Sequence, residues 1–207
     1  MSRLKQQPVV SAALVILNAG IFLVCMFGRI SLYDMGGLDI YSVLVKKDYW
    51  RIVAAMFLHS GTSHLFSNMI ILFFMGSMIE KELGHIKYGI LYLLSGISGN
   101  LLSLWAKVMS GDMAYSVGAS GAVFGLDGAL LAMVLFWDRK LLQVTPARVA
   151  AMIFLSIYGG FTSENIDNAA HVGGLATGFL IGCIFCLLER IKNKIKRSKQ
   201  LNEEVTN

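Results

Sequence analysis

The chain has 207 residues, 56% of them hydrophobic and 15% charged, with a mean hydropathy of +0.64. A soluble domain of that size has too little interior to hide so much apolar surface, so the composition implies an integral membrane protein. The net charge of +5 is concentrated in one run, Arg190, Lys192, Lys194, Lys196, Arg197 and Lys199, directly after the last apolar segment. Beside a membrane such a run is a topology signal and a contact for anionic lipid, and no recognition motif speaks for nucleic acid.

The apolar runs are continuous and lack the two-residue alternation of barrel strands, which predicts an all-α bundle. Arg3 and Lys5 in a short N-terminal segment, 1–8, precede the first run, Val9 to Gly28. Its roughly 20 residues suffice to cross a hydrocarbon core of about 30 Å. The run is long for the apolar part of a signal peptide and no Ala-x-Ala site follows, so it reads as a retained helix.

Residues 29–58 break the pattern, with Arg29, Asp34, Asp39, Lys46, Lys47, Asp48 and Arg51 interleaved with Tyr33, Tyr41, Tyr49 and Trp50. We read a long outward loop, 29–64, whose aromatic residues suit the headgroup level. A second span covers about Leu65 to Ile79, and a polar hairpin (Glu80, Lys81, Glu82, Gly84, His85, Lys87) leads to a third, about Tyr88 to Ala106. The loop Lys107 to Val117 runs into Gly118-Ala119-Ser120-Gly121 and a fourth span ending near Trp137. Asp138, Arg139, Lys140, Pro146 and Arg148 mark a turn, and a short fifth span follows from about Val149 to Phe161. Thr162 to Asn168 form a polar loop, and a sixth span covers about Ala170 to Leu188 ahead of the basic tail, 189–207.

Six spans put both termini on one side of the bilayer. Making that side cytoplasmic gathers Arg3, Lys5, Lys81, Lys87, Arg139, Lys140, Arg148 and the tail there, and leaves only Arg29, Lys46, Lys47, Arg51 and Lys107 opposite. The serine stretch, the first loop and the loop 162–168 then share the outward face. Cys25, Cys183 and Cys186 all lie in apolar runs and read as packing residues.

Polar groups inside spans are costly and mark functional sites by default. Ser120 opens the fourth span, where free backbone N–H groups and the helix dipole favour a developing negative charge. Such a position suits an acyl-transfer nucleophile, although small residues also serve close helix packing. His64 and Asn68 are four apart on one helical face, and their N–H donors suit either an oxyanion or an inter-helical hydrogen bond. His171 opens the sixth span at the same depth as Ser120, where an imidazole can take the serine proton and pass it to a leaving amine. Below them, Gly121 and Gly125 on one span and Gly174, Gly178 and Gly182 on the other repeat every four residues. Paired stripes of this kind let two helix backbones approach, which favours the catalytic reading.

Rival chemistries fit less well. No His-Glu-x-x-His occurs, and His59 and His64 would lie about 140° apart round a helix, so no metal site is predicted and nothing calls for a cofactor. An aspartyl mechanism needs two intramembrane carboxylates, and Asp127 alone lies within a span, about 10.5 Å along the axis from Ser120.

Together these residues resemble the rhomboid intramembrane serine proteases of the minimal six-helix bacterial kind. The likeness runs from about Tyr49 to Gly182 and rests on Trp50-Arg51, then His59, His64 and Asn68, then Gly118-Ala119-Ser120-Gly121, then Ala170-His171-Val172-Gly173-Gly174. It implies a Ser120–His171 dyad with no third carboxylate. It also implies an oxyanion site drawn from His64, Asn68 and the Ser120 N–H, a first loop partly in the membrane, and substrates that are helices of other membrane proteins. Phe124 stands where some members carry a tyrosine that stacks on the base, and would orient His171 by packing alone. Asp127 departs from the usual apolar run. The competing reading from another class is a catalytically silent rhomboid-like protein that binds membrane clients; a small transporter or channel ranks third, because no polar path crosses the bilayer.

Overall fold

A computed structural model describes residues 7–28, 31, 34, 36–137, 145–162 and 166–206, and within these the side chains outside 155–162 and 203–206. Arg3, Lys5, Arg29, Tyr33, the turn residues Asp138, Arg139 and Lys140, and the centre of the loop 162–168 lie outside the described residues. The chain folds as a bundle of long helices: α1 (Val9–Gly28), α2 (Thr62–Leu83), α3 (His85–Ser110), α4 (Ser120–Phe136), α5 (Pro146–Thr162) and α6 (Asn168–Thr206). Four of them, α1, α2, α3 and α6, are long and apolar enough to cross a membrane, and α4 is a shorter apolar helix. Among the described residues the only strand-like pairing is one antiparallel bridge, Leu38 with Ser116.

The helix ends move relative to the sequence-based reading, and each shift has a local cause. Helix α2 continues through Glu80, Lys81 and Glu82, so the predicted hairpin shrinks to Gly84, whose φ of 83° turns the chain directly into α3. Glu80 escapes the cost of burial because its carboxylate caps another helix. It accepts the N–H groups of Val10 and Ser11 at 2.8 Å each, the Ser11 hydroxyl at 2.6 Å and His85 Nδ1 at 2.5 Å. Helix α3 runs on to Ser110 and stops at Gly111, which adopts the left-handed conformation. Helix α6 extends through the whole basic run to Thr206 as one continuous helix.

The long first loop is less irregular than its composition implies. It contains a π-helical turn (Tyr41–Val45), an α-turn (Arg51–Ala54) and a 3-10 turn (Ala55–Phe57). Arg51 organises it from inside: the buried guanidinium donates to the Gly37 carbonyl at 2.8 Å and the Asp34 carbonyl at 2.5 Å, and lies 3.7 Å from Asp39 and 3.5 Å from Asp48. Tyr41, Tyr49 and Trp50 point outward, as anchors at a membrane surface would.

Helix α4 sits in the middle of the bundle. Ala122, Leu126, Ala129 and Met133 are all buried along it, and a helix that is apolar all round belongs inside. The glycine stripes explain how α4 and α6 touch. A Cβ on Gly174 or Gly178 would collide with the carbonyl oxygens of Gly121 and Gly125, and one on Gly182 would sit 3.0 Å from Ala129 Cα. The two backbones are therefore in direct contact, as the sequence spacing predicts. Tyr88, Tyr92, Leu72, Ile79, Leu126 and Met133 belong to the main core cluster.

Candidate active site

Ser120 is the first residue of α4, and the first hydrogen bond within that helix runs from Val123 N–H to Ala119 O at 3.0 Å. The amides ahead of Val123 therefore have no acceptor within the helix, and they point at the space in front of Ser120. Gly118 lets the chain enter the helix this way. Its φ of 137° suits only glycine, and its N–H donates to Ala55 O at 2.9 Å, pinning the turn to the first loop. A Cβ at Gly118 would lie 2.7 Å from His64 Cε1, 2.8 Å from His64 Nε2 and 3.6 Å from Ser120 Oγ. The absent side chain is what lets the His64 ring pack against Gly118, with Ser120 Oγ beside the same glycine.

The His64 ring has a set orientation, because its Nδ1 is 3.0 Å from Ser60 Oγ while Cε1 and Nε2 face Gly118. Asn68, one turn further along α2, is buried, and its Nδ2 donor has no partner among the described residues. Of the two predicted donors, Asn68 is thus unpaired among the described residues, while His64 engages Ser60 through one ring nitrogen. His59 lies in the non-helical turn before α2, so the helical angle argued from the sequence does not apply. That turn brings the His59 and His64 rings to 5.2 Å, edge to face. No cluster of three metal-binding side chains forms among the described residues. Burial, with the neighbouring His64 adding to it, pushes the His59 imidazole down to about 4, which keeps it neutral.

His171 lies in the first turn of α6 and is buried. Its ring stacks on Phe124 with centroids 4.2 Å apart and planes 15° from parallel. Nδ1 has no partner among the described residues. The chain neighbours of the two residues lie close together: a Cβ on Gly121 would lie 3.3 Å from Ala170 O. Asp127 is buried further down α4, and its Oδ1 is unpartnered among the described residues.

The sequence reading missed Asp167, just ahead of α6. Its Oδ1 accepts the Ala170 N–H at 3.0 Å, and its Oδ2 accepts the hydroxyls of Ser103 and, at 2.5 Å, Ser116. An Asp three residues before the start of an apolar run is a helix N-cap signature that could have flagged it. The two serine partners come from other elements and leave no trace at that position.

An apolar helical bundle with a half-buried serine at one helix N-terminus and a buried histidine in the first turn of the helix packed against it defines a polytopic membrane protein. The chain belongs to the rhomboid family: the Rhomboid domain model matches residues 46–188. It is 39% identical over 159 residues to RHOMBOID-like protein 4 of Arabidopsis thaliana, which covers 76% of this chain and 39% of that protein. It is 33% identical over 138 residues to Rhomboid protease GluP of Bacillus subtilis, covering 67% of this chain and 26% of that one. Rhomboid-like protein 11, chloroplastic, of Arabidopsis thaliana is 30% identical over 181 residues, 81% of this chain and 62% of that one. The chain thus spans less than two thirds of the length of these relatives.

Proposed function

We propose that this protein is an intramembrane serine endopeptidase that cuts transmembrane helices of single-pass or polytopic membrane proteins near the outer membrane boundary. The observation that carries the reading is the convergence at Gly118, where the His64 ring and Ser120 Oγ lie beside the same glycine at the amide end of α4. An oxyanion formed next to Ser120 needs donors gathered in this way.

In this mechanism Ser120 Oγ attacks the scissile carbonyl carbon while His171 takes the hydroxyl proton. The resulting oxyanion is held by His64, Asn68 and the Ser120 N–H. His171 then protonates the leaving amine, and water, entering from the outward face, releases the acyl group with the same residue as base. The protease domain is 9–188, with six spans, both termini cytoplasmic and the chain in the cell membrane. The basic tail, 189–207, contacts anionic lipid. Substrates carry a small residue before the cut in a helix that unwinds readily, and no metal or cofactor takes part.

Purified protein in proteoliposomes, given a tagged single-span substrate and separately a fluorophosphonate probe, tests this. Wild type should cleave and label, Ser120→Ala should do neither, and His171→Ala should cleave negligibly while remaining inserted. Cleavage by Ser120→Ala equal to wild type would refute the dyad. An unlabelled, inactive wild type would leave only client binding.

A further inference from the structure

Asp167 has no place in the dyad, and its carboxylate is occupied by groups other than the imidazole. We infer that Asp167 is a positioning residue that sets the distance between Ser120 and His171 by tying three elements together; the inference rests on the proteolytic reading above. Its two oxygens have separate partners. Oδ1 caps α6 through the Ala170 N–H, one residue before His171, and the His171 N–H itself donates to the Asp167 carbonyl at 3.2 Å. The first turn of α6, and with it the base, is thereby fixed to Asp167.

Oδ2 reaches out of the helix. It accepts from Ser103 on α3 and from Ser116, four residues before Ser120, and the two hydroxyl oxygens are 3.3 Å apart. Ser116 and Ser103 are both buried, so these bonds form away from bulk water, where leaving either partner unmade is costly. Ser116 is in turn fixed to the first loop by the paired bonds with Leu38, at 3.0 and 2.9 Å, and Gly118 by the bond to Ala55. The nucleophile's loop is therefore held on one flank by the first loop and on the other by Asp167. Asp167 is where the loop carrying the nucleophile meets the helix carrying the base.

Loss of this tie would loosen both reacting groups by fractions of an ångström without touching either, and a misplacement of about 1 Å can cost about 10²-fold in rate. The test uses the full chain in proteoliposomes with Asp167→Ala, Asp167→Asn and the double variant Ser103→Ala/Ser116→Ala. Asp167→Ala should lower kcat and the fluorophosphonate labelling rate by about 10- to 100-fold with KM within about twofold. Asp167→Asn keeps an oxygen for Ala170 and a group the serine hydroxyls can bond, so it should recover most of the rate. The double variant keeps the cap and loses the cross-tie, so it should slow kcat while its melting midpoint falls less than that of Asp167→Ala. It decides the matter if Asp167→Ala does not fold.

Wild-type kcat in Asp167→Ala or in the double variant, or an Asp167→Asn as slow as Asp167→Ala, would overturn the positioning role. Hydrogen exchange of the amides 168–171, faster in Asp167→Ala than in wild type, reads the anchor whether or not the chain cuts, and unchanged exchange there also overturns it. Equal cleavage by wild type and Ser120→Ala would instead count against the proteolytic reading alone.

Discussion

Gly99 offers a test of whether the seam between α3, α4 and α6 sets the site geometry. A methyl group there would lie 2.7 Å from Ala170 O and 3.4 Å from Gly121 Cα. Both contacts are backbone atoms, which cannot swing aside as a side chain would. Ordinary contact begins near 3.4 Å, so Ala170 must retreat by about 0.7 Å, and it carries His171 with it. Overpacking of this kind costs about 1–3 kcal/mol, and a shift of that size at the base can cost up to about 10²-fold in rate. The control is on the same helix: a methyl group added at Gly89 would meet nothing within 4 Å, so Gly89→Ala should be neutral or slightly stabilising. We expect Gly99→Ala to lose about tenfold or more in kcat, with a lowered melting midpoint in detergent, and Gly89→Ala to lose neither. Equal activity and stability in the two variants would refute the close-contact reasoning.

Other outcomes follow from single contacts. Gly118→Ala combines a strained φ with a methyl driven into the His64 ring, and should lower cleavage by about 10²-fold or more, read in the same proteoliposome assay. Phe124→Leu removes the stack on His171, worth about 0.5–1.5 kcal/mol, so kcat should fall by about two- to tenfold, while Phe124→Tyr should hold close to wild type. His59 is held neutral in the folded protein, with its imidazole pushed down to about 4 from the ordinary 6.5. Between those two values the unfolded chain binds more protons than the folded one, so stability is full above about pH 6.5 and is lost as pH falls toward 4. The melting midpoint should fall across that window, and His59→Phe should flatten the dependence.

The class of fold was legible from composition and run length, because burying apolar surface in lipid leaves a helix as the economical way to satisfy the backbone. The glycine seam was legible too: a repeat of four on two spans is a local pattern, and it reports close approach wherever the partner lies. Ser120 and His171 announced themselves as polar residues at helix starts. Helix ends were read less well at Glu80, because a charged residue looks like a boundary until a partner such as the N-terminus of α1 is brought against it.

What only the tertiary structure decided are contacts between residues far apart in the chain. His59 and His64 approach through a non-helical turn that no helical spacing describes. Arg51, singled out in the sequence only as part of the Trp50-Arg51 motif, is the loop's interior staple, because the Gly37 and Asp34 carbonyls it bonds carry no sequence signal. Asp167 carried a local cap signature, yet its second oxygen bonds hydroxyls from α3 and from the loop before Ser120. Periodicity and capping are written in neighbouring residues; a hydrogen bond across 51 or 64 positions depends on how helices pack, and packing is a property of the whole chain.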